Sequence, residues 1–495
     1  MKHAVVIGSG MGGLTSAILL AGHGWKVTVL EQHYRAGGFL HRFFRDGVGY
    51  DTGFHYVGSA GPDQLFGRAM RHLGVYDQLR WVPLDPDGFD ILRFPGGFEF
   101  RVPVGLDRYI ARLGDVFPHE REGLARYAAL HREAVAAYGW FHLDPSVPPE
   151  SILLWEERSL ASVLSECFTD SRLHSVLAGQ AALYGVPPKD APFGMHAIVT
   201  DHFLQGAYGI EGGGDKLALA LVRRMRSLGG TLHLKTRVAA IETEGSDVRG
   251  VRTVDDRFFP ADLVVANTHP RNVVAMLPAG AVRPAYANRV RDSVSGRAHV
   301  GLYLRVDGDI AELGPRNLYS FRDWDMSVSE IPGGPGDVPF YFLTAPGQRT
   351  TRPLPGEREV VLGLFQVEWK DYARWVGSDP KARPAAYEET KRGLLEGAID
   401  SIRADFPGWR ILDAEVSTPI TTVHFTDTPE GATYGHYHSV AQMGRYRFPM
   451  RTRVHGLLQV GQCVAFPGIC GAMMSAYVAL VDIVGTDLLI KELHA

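Results

Sequence analysis

Cysteine is scarce in this chain, because only Cys167, Cys463 and Cys470 occur among its 495 residues. Three cysteines without a CxxC spacing cannot build a paired disulfide framework, and they favour a reducing, cytoplasmic setting. The sequence also lacks a Cys/His/Asp cluster at metal-site spacing and a G-x-S-x-G motif. These absences argue against a disulfide-stabilised secreted domain, a metal centre and a serine nucleophile of the hydrolase type.

Excess charge and long apolar runs are absent as well. The 51 Lys and Arg residues nearly balance the 55 Asp and Glu residues, so the net charge of −4 gives no electrostatic attraction for nucleic acid. Met1 and Lys2 lead directly into an apolar strand, and no signal peptide is expected. The most apolar window, residues 471–490, contains Asp482 and Asp487, which favours a buried helix over a membrane span.

Glycine, in contrast, is abundant, and its first cluster has a diagnostic context. Gly8, Gly10 and Gly13 have the spacing G-x-G-x-x-G directly after the apolar run Ala4–Ile7. The first glycine allows a tight turn, the second lets the backbone approach a pyrophosphate, and the third lets a helix pack on the strand. The helix expected over residues 12–23 offers free N–H groups and a positive dipole end to the phosphates. The pattern predicts a dinucleotide-binding fold.

An acidic residue and a second glycine pair refine this prediction. Glu31 ends the second expected strand, Lys26–Leu30, and lies 23 residues after Gly8, where a carboxylate can accept hydrogen bonds from both ribose hydroxyls. Arg35 and the pair Gly37–Gly38 follow at once. The pair lets another stretch of backbone close over the diphosphate, with Arg35 as a counter-charge. A plain NAD domain does not need this pair, so the pattern favours FAD over NAD.

Four stretches resemble the phytoene-desaturase-like flavoproteins, in the branch that contains carotenoid isomerases and all-trans-retinol 13,14-reductases. The first, residues 5–38, is common to a wide superfamily. FRDGVGYDTGFHYVG at 44–58 and LLQVGQCVAFPGICGAMMSA at 457–476 are more specific to the branch. GAYGIEGGGDKLALALV occupies 206–222. The resemblance runs from end to end and is weakest in the middle of the chain.

The resemblance implies an α/β fold in which a Rossmann-like FAD-binding domain, of the glutathione-reductase and amine-oxidase type, is intertwined with a mixed-sheet-plus-helix substrate domain. The length of the chain also argues for two domains rather than a single core. The expected FAD-binding domain is discontinuous and comprises residues 1–100, 205–285 and 450–495. The expected substrate-binding or lid domain comprises residues 101–204 and 286–449.

The expected FAD site combines these motifs. Val238 is expected at the adenine, as in FAD folds of this type, and Gln462 stands where many superfamily members have aspartate. Pro467–Ala472 opens the last expected helix, so its N–H groups can face the negative charge of a reduced flavin. The predicted cofactor-binding residues are Gly8, Gly10, Met11, Gly12, Gly13, Glu31, Gln32, Arg35, Gly37, Gly38, His55, Val238, Gly461, Gln462, Gly468, Ile469, Gly471 and Ala472.

Candidate catalytic residues are fewer. His55 is expected beside the flavin or in the cavity wall, as a proton donor or a polar orienting group. Tyr434 and Tyr208 are further candidates, and His436 is a similar one. A purely structural role stays open for each, since a lone histidine is more often a satisfied structural group. Cys470 is interpreted as a small residue at a helix start rather than a nucleophile.

The resemblance implies hydride transfer between flavin N5 and a carbon–carbon double bond of a long apolar polyene, such as a retinoid or carotenoid, as saturation or desaturation. A cis–trans isomerase that needs reduced FAD, an amine oxidase, and a non-catalytic protein with structural FAD stay open as alternatives. No second G-x-G-x-x-G follows a strand, so electrons would pass through transiently bound NAD(P)H, an electron carrier, oxygen or the substrate. Such an apolar substrate suggests that the protein contacts a membrane peripherally, although no basic amphipathic helix is visible in the sequence.

Overall fold

The computed structural model describes residues 1–144, 146–326, 336–485 and 493. Its α-helices are α1 (Met11–Gly22), α2 (Leu65–His72), α3 (Leu106–Val116), α4 (Arg121–Ala136), α5 (Leu153–Glu156), α6 (Leu160–Cys167), α7 (Ser171–Ala178), α8 (Phe193–Leu204), α9 (Gly214–Ser227), α10 (Pro270–Met276), α11 (Pro284–Arg291), α12 (Ala385–Asp405), α13 (Pro419–Thr426) and α14 (Gly468–Val484). Short 3₁₀ turns connect many of them.

The strands are β1 (His3–Ile7), β2 (Lys26–Leu30), β3 (Arg42–Arg45), β4 (Val48–Asp51), β5 (Val57–Gly58), β6 (Trp81–Pro83), β7 (Asp90–Phe94), β8 (Phe98–Val102), β9 (Ala207–Ile210), β10 (Thr231–His233), β11 (Val238–Glu244), β12 (Asp247–Thr253), β13 (Phe258–Pro260), β14 (Leu263–Ala266), β15 (Ala298–Asp307), β16 (Asn317–Phe321), β17 (Phe340–Thr344), β18 (Val360–Val367), β19 (Arg410–Ser417) and β20 (Leu457–Gln459).

A five-stranded parallel sheet carries the amino-terminal glycine motif. Its strand order is β10-β2-β1-β14-β20, and α1 packs against both α9 and α14. Strands β1, β2 and β14 are buried runs of apolar residues, as expected for parallel strands that are covered on both faces. The predicted α/β, Rossmann-like architecture is therefore confirmed. An antiparallel meander, β11-β12-β13, connects β10 to β14 along the chain.

A seven-stranded mixed sheet forms the second layer of the molecule, in the order β19-β15-β18-β17-β16-β7-β8. One face packs on α12, where Leu394, Ala398 and Ile402 share a core with the sheet residues Val300 and Leu343. The opposite face contributes its side chains to the larger core of the chain. Strands β7 and β8 pair with this sheet through β16 rather than with the nucleotide sheet. The boundary placed at residue 100 stays a prediction.

The stretch 39–60 contains the β3–β4 hairpin and β5, which pairs with β9. In the carboxyl-terminal window 471–490, α14 extends to Val484, and Asp482 pairs with Arg451 at 2.8 Å. The rest of that window, including Asp487, lies outside the described residues. Among the described helices, none has both the length and the apolar character required to cross a membrane.

Candidate functional site

A cavity of about 550 Å³ lies at the carboxyl ends of the parallel strands, over the start of α1. This is the place where open α/β sheets bind their ligands. Of the predicted cofactor-binding residues, those that line this cavity are Gly8, Gly10, Met11, Glu31, Gln32, Arg35, Gly37, Gly38, Val238, Gly461, Gln462, Gly468, Ile469 and Ala472. Residues from the amino-terminal glycine motif, Val238 and the carboxyl-terminal motif therefore meet at one site.

The glycines at the start of α1 hold the helix against its neighbours. A Cβ atom on Gly13 would lie 2.1 Å from the Gly8 carbonyl oxygen, and one on Gly12 would lie 2.9 Å from the Ala472 carbonyl oxygen. These two glycines therefore pack α1 on the strand and on α14, and they do not line the cavity. Gly10 directly precedes α1, and it has no side chain to cap the N–H groups of this helix. The first N–H groups of α1 are available to a phosphate.

Asn267 holds the glycine motif from the other side, although no motif of the sequence points to it. Its backbone N–H donates to the Ile7 carbonyl oxygen at 2.8 Å, and it lines the cavity. Added Cβ atoms on Gly8, Gly10 and Gly12 would each come within 2.8 Å of an atom of Asn267. The available signal was its position, directly after the carboxyl end of β14.

Glu31 is fixed before any ligand arrives. Its Oε2 accepts hydrogen bonds from the Ser9 N–H (2.8 Å) and from the Ser9 hydroxyl (2.6 Å), and its Oε1 accepts one from the His33 N–H (2.8 Å). The side chain is buried, yet it lines the cavity. A carboxylate held in this way can still accept hydrogen bonds from the ribose hydroxyls through its remaining lone pairs.

Arg35 and Gln462 make contacts within the protein that the sequence did not indicate. Arg35 forms an ion pair with Asp215 of α9 at 3.3 Å, so its charge is shared between this carboxylate and the cavity. The side-chain amide of Gln462 donates to the Thr433 carbonyl oxygen at 2.9 Å, and its oxygen accepts from the Gly468 N–H at 3.4 Å. Gln462 thus connects Thr433 to the start of α14.

A second, largely apolar cavity of about 150 Å³ continues from the first. Both cavities are lined by Gly53, Thr433, Tyr434, Gly468 and Ile469, so they meet at the amino-terminal end of α14. The apolar lining of the second cavity comes mainly from Phe141, Ile198, Phe203, Phe342, Leu364 and Phe466. Pro467, the residue before α14, makes no capping hydrogen bond, and Gln462 accepts from only one of the first N–H groups of the helix. The positive end of its dipole faces the junction, where it would stabilise negative charge.

His55 lines the second cavity, as does Gly471. Both ring nitrogens of His55 are buried without a hydrogen-bond partner, and the ring lies 5.3 Å from that of Phe342. Burial, reinforced by the nearby Arg349 charge, lowers the pKa of His55 to about 4. The imidazole is therefore neutral at neutral pH, which suits an orienting group or a base better than an acid.

The other catalytic candidates differ in position. Tyr434 lines both cavities, its hydroxyl donates to the Ala182 carbonyl oxygen at 3.1 Å, and burial raises its pKa. Tyr208 lies on β9, and His436 packs on Phe448; neither residue lines either of the two cavities described. Cys470 lines the second cavity with its Sγ 3.4 Å from His202 Nε2, and burial raises the pKa of this thiol, so it is not an activated nucleophile.

The groups that line the first cavity fit FAD. The first cavity is lined by the uncapped start of α1, by glycines where a Cβ atom would collide with neighbouring groups, and by the fixed carboxylate of Glu31. It ends at the start of α14, beside the apolar second cavity. This arrangement defines a dinucleotide-dependent flavoprotein oxidoreductase.

Comparison with known proteins agrees with this class. The profile of the family described as flavin containing amine oxidoreductase matches residues 11–479, and the chain belongs to this family. All-trans-retinol 13,14-reductase of Danio rerio is 26% identical, over 99% of this chain and 86% of the relative. All-trans-zeta-carotene desaturase of Myxococcus xanthus is 26% identical, over 93% of this chain and 89% of the relative.

A solved oxidoreductase from Methanosarcina mazei has the same fold, with a TM-score of 0.65 at 16% identity over 96% of this chain and 99% of that one. The predicted resemblance, the FAD cofactor and the oxidoreductase class are confirmed by these findings.

Proposed function

We propose that this FAD-dependent oxidoreductase saturates or desaturates a carbon–carbon double bond in a long apolar polyene. The observation that carries the proposal is the second cavity, which joins the nucleotide cavity at the start of α14 and is lined mainly by aromatic and aliphatic side chains. Its volume of about 150 Å³ suits a segment of a slender chain rather than a bulky polar group.

The lining also argues against an amine substrate. Within the described ranges, no Asp, Glu, Lys or Arg side chain lines the second cavity. An ammonium group would enter this chamber without a counter-charge, and an unpaired charge in an apolar site is costly. A neutral hydrocarbon has no such cost. The relatives named for a retinoid and a carotene support the same substrate class.

The roles of the residues follow from their positions. Bound FAD would supply hydride transfer at the N5 atom of its ring. Glu31 would hold the ribose, the start of α1 would hold the diphosphate, and the start of α14 would stabilise negative charge on the ring. The apolar side chains exclude water, and His55 orients the bound chain. Tyr208 is not included, because it lines neither cavity.

The source of electrons belongs to the proposal as well. The sequence has one dinucleotide motif, so a nicotinamide or another electron carrier would bind transiently rather than in a domain of its own. An isomerase that uses reduced FAD without net electron transfer would need the same cavity. The two reactions differ in their products, because saturation adds two hydrogens and isomerisation leaves the mass unchanged.

The test uses the holoenzyme after anaerobic photoreduction of its flavin. Addition of a retinoid or linear carotene should re-oxidise the flavin and yield a product heavier by two hydrogens, detected by mass spectrometry. Geometric isomers of unchanged mass would replace the proposal with the isomerase. Hydrogen peroxide released with amines, and no reaction with any polyene, would refute it.

A further inference from the structure

We propose that Asp90, Tyr56 and Tyr319 form a buried proton relay that ends at the apolar cavity, with Tyr319 as the group that contacts the substrate. The inference rests on the proposed function, because saturation of a double bond needs a proton in addition to a hydride. No motif of the sequence pointed to Asp90 or to Tyr319.

Asp90 is the centre of the relay. It is the first residue of β7 and is fully buried. Its Oδ2 accepts hydrogen bonds from the Tyr56 hydroxyl at 2.8 Å and from the Gln180 amide at 2.9 Å. Its Oδ1 accepts one from the Asn317 amide at 2.9 Å. The carboxylate is thus held by three donors inside the core.

The two tyrosines extend this network to the cavity. Their hydroxyl oxygens lie 2.6 Å apart, and both residues line the apolar chamber. Tyr56 has one hydroxyl proton and gives it to Asp90, so Tyr319 must donate its own proton to the Tyr56 oxygen. While Asp90 is ionised, the hydrogen bonds therefore run from the cavity to the carboxylate. When Asp90 is protonated, the O–H groups turn, so that Asp90 donates to Tyr56, Tyr56 donates to Tyr319, and the Tyr319 proton is available to the substrate.

The sheet fixes this geometry. Asn317 lies opposite Asp90 in the parallel pair of β16 and β7, and Tyr319 follows two residues later on the same face. Phe342 is the register partner of Tyr319 on β17 and lines the cavity beside it. The relay is therefore part of the sheet face that forms the cavity wall, not of a loop.

Arg349 provides the compensating charge. Its buried guanidinium donates to the Asn317 side-chain oxygen and the Thr344 hydroxyl, both at 2.7 Å, and to the His55 carbonyl oxygen at 3.1 Å. Asn317 thus bridges Arg349 and Asp90. Burial raises the pKa of Asp90 to about 6, although its three hydrogen-bond donors and the Arg349 charge act in the opposite direction. Asp90 can therefore gain or lose a proton near neutral pH.

The other groups at the cavity are poor proton donors at neutral pH. Burial lowers the pKa of His55 and of His299 to about 4 and that of His202 to about 3, which leaves all three rings neutral. Burial raises the pKa of Tyr434 and of Cys470, and neither has a titrating partner with a pKa near neutrality. Asp90, in contrast, is hydrogen-bonded to a tyrosine of this chamber, and its pKa of about 6 approaches the working pH.

Saturation moves one proton along each step of the relay. In saturation, bound reduced FAD would supply a hydride to one carbon of the double bond, and the neighbouring carbon takes the hydroxyl proton of Tyr319. Tyr319 takes the proton of Tyr56, and Tyr56 takes the proton of protonated Asp90, which remains as a carboxylate. After the product leaves, one proton from bulk solvent reaches the emptied cavity and passes through Tyr319 and Tyr56 to the Asp90 carboxylate. Desaturation runs each transfer in reverse.

The kinetic test measures single-turnover re-oxidation of the reduced holoenzyme by a polyene between pH 5 and 9. The rate in the unaltered enzyme should fall about tenfold for each pH unit above roughly 6, because the protonated fraction of Asp90 falls by that factor. Asp90→Asn and Tyr319→Phe should be slower by about 10²–10⁴-fold, and Asp90→Asn should lose the pH dependence. An unchanged pH profile in Asp90→Asn would overturn the relay.

Tyr341→Phe is the matched control. Tyr341 lies on β17 of the same sheet, but it belongs to the core on the α12 face and donates to Asp405. Its loss removes a buried hydroxyl from the same sheet without affecting the relay, so the pH profile should not change. If Asp90→Asn does not fold, Tyr56→Phe carries the same test, because it interrupts the relay and leaves the carboxylate in place.

A second readout needs no turnover. Infrared difference spectra of the holoenzyme should show a protonated carboxyl band that titrates near pH 6, is absent from Asp90→Asn and is shifted in Tyr56→Phe. Absence of this band from the unaltered protein overturns the relay. Presence of the band in an enzyme that consumes no polyene overturns the substrate contact of Tyr319 and the proposed function, but not the titration of Asp90.

Discussion

Substitution of Gly13 by alanine tests how the nucleotide site is built. The added Cβ would lie 2.1 Å from the Gly8 carbonyl oxygen and 3.2 Å from the Asn267 Cβ, whereas real Cβ contacts essentially never fall below 3.0 Å. The close atom is backbone and cannot rotate away. We therefore expect the start of α1 to move by roughly 1 Å away from β1, since a packed core relieves overpacking through small backbone shifts.

Two free energies follow from that shift. Overpacking costs about 1–3 kcal/mol, and a backbone contact this short places the cost at about 3 kcal/mol. The higher helix propensity of alanine offsets about 1 kcal/mol, so the net loss of unfolding free energy is about 2 kcal/mol. For bound FAD, each charge-assisted hydrogen bond broken between a helix N–H and a phosphate costs about 1.5–3 kcal/mol, a tenfold or greater loss of affinity.

Two variants serve as controls. Gly22→Ala alters the last residue of the same helix, where an added Cβ meets no atom within 4 Å, and should raise the unfolding free energy by up to about 1 kcal/mol without changing FAD binding. Gly10→Ala places its Cβ 2.8 Å from the Asn267 side-chain nitrogen, which can rotate away. Its stability should be nearly unchanged, while its Cβ obstructs the diphosphate and lowers FAD affinity.

The assay combines the flavin-to-protein absorbance ratio, the dissociation constant of FAD and chemical denaturation of each apoprotein. A Gly13→Ala protein that retains stoichiometric FAD at unaltered affinity and unfolds at the same denaturant concentration as the parent would contradict this packing role of Gly13. Equal losses in Gly13→Ala and Gly22→Ala would also refute it, because the effect would then be independent of the contact with Gly8.

Two further substitutions probe the ends of the site. Glu31→Gln turns an amide N–H₂ group toward Ser9 or His33, which are themselves donors. The affinity for FAD, measured by fluorescence titration, should therefore fall about tenfold or more. Unchanged affinity would contradict the assignment of Glu31 to the ribose. His55→Phe removes two nitrogens that have no partner, so the melting temperature should hold or rise while polyene turnover slows. An undiminished rate would remove His55 from the reaction.

Local motifs could be predicted from the sequence because each depends on the spacing and backbone conformation of residues that are neighbours along the chain. The G-x-G-x-x-G spacing predicted a strand, a turn and a helix over residues 12–23, and the structure has α1 at Met11–Gly22 between β1 and β2. The glycine-rich start of the last helix was predicted in the same way, and α14 begins at Gly468. Each of these signals lies within about twenty residues of chain.

Contacts between distant segments could not be read in this way. Arg35 meets Asp215 across 180 residues, and the sequence offered no reason to pair them. Asn267 was recognisable only as the residue after a strand until its contacts with the glycines were visible. Tyr208 was a catalytic candidate, but it lies on β9, outside both cavities.

The sequence by itself determined the nucleotide-binding unit and the FAD class, because backbone conformation and glycine spacing are properties of one continuous segment. The tertiary structure alone decided the cavity wall and the Asp90 network, in which Asp90 and Asn317 come from strands 227 residues apart. Burial changes the pKa of a carboxyl group only when distant strands enclose it. Such an environment is a property of the assembled sheet and leaves no periodic or local trace along the chain.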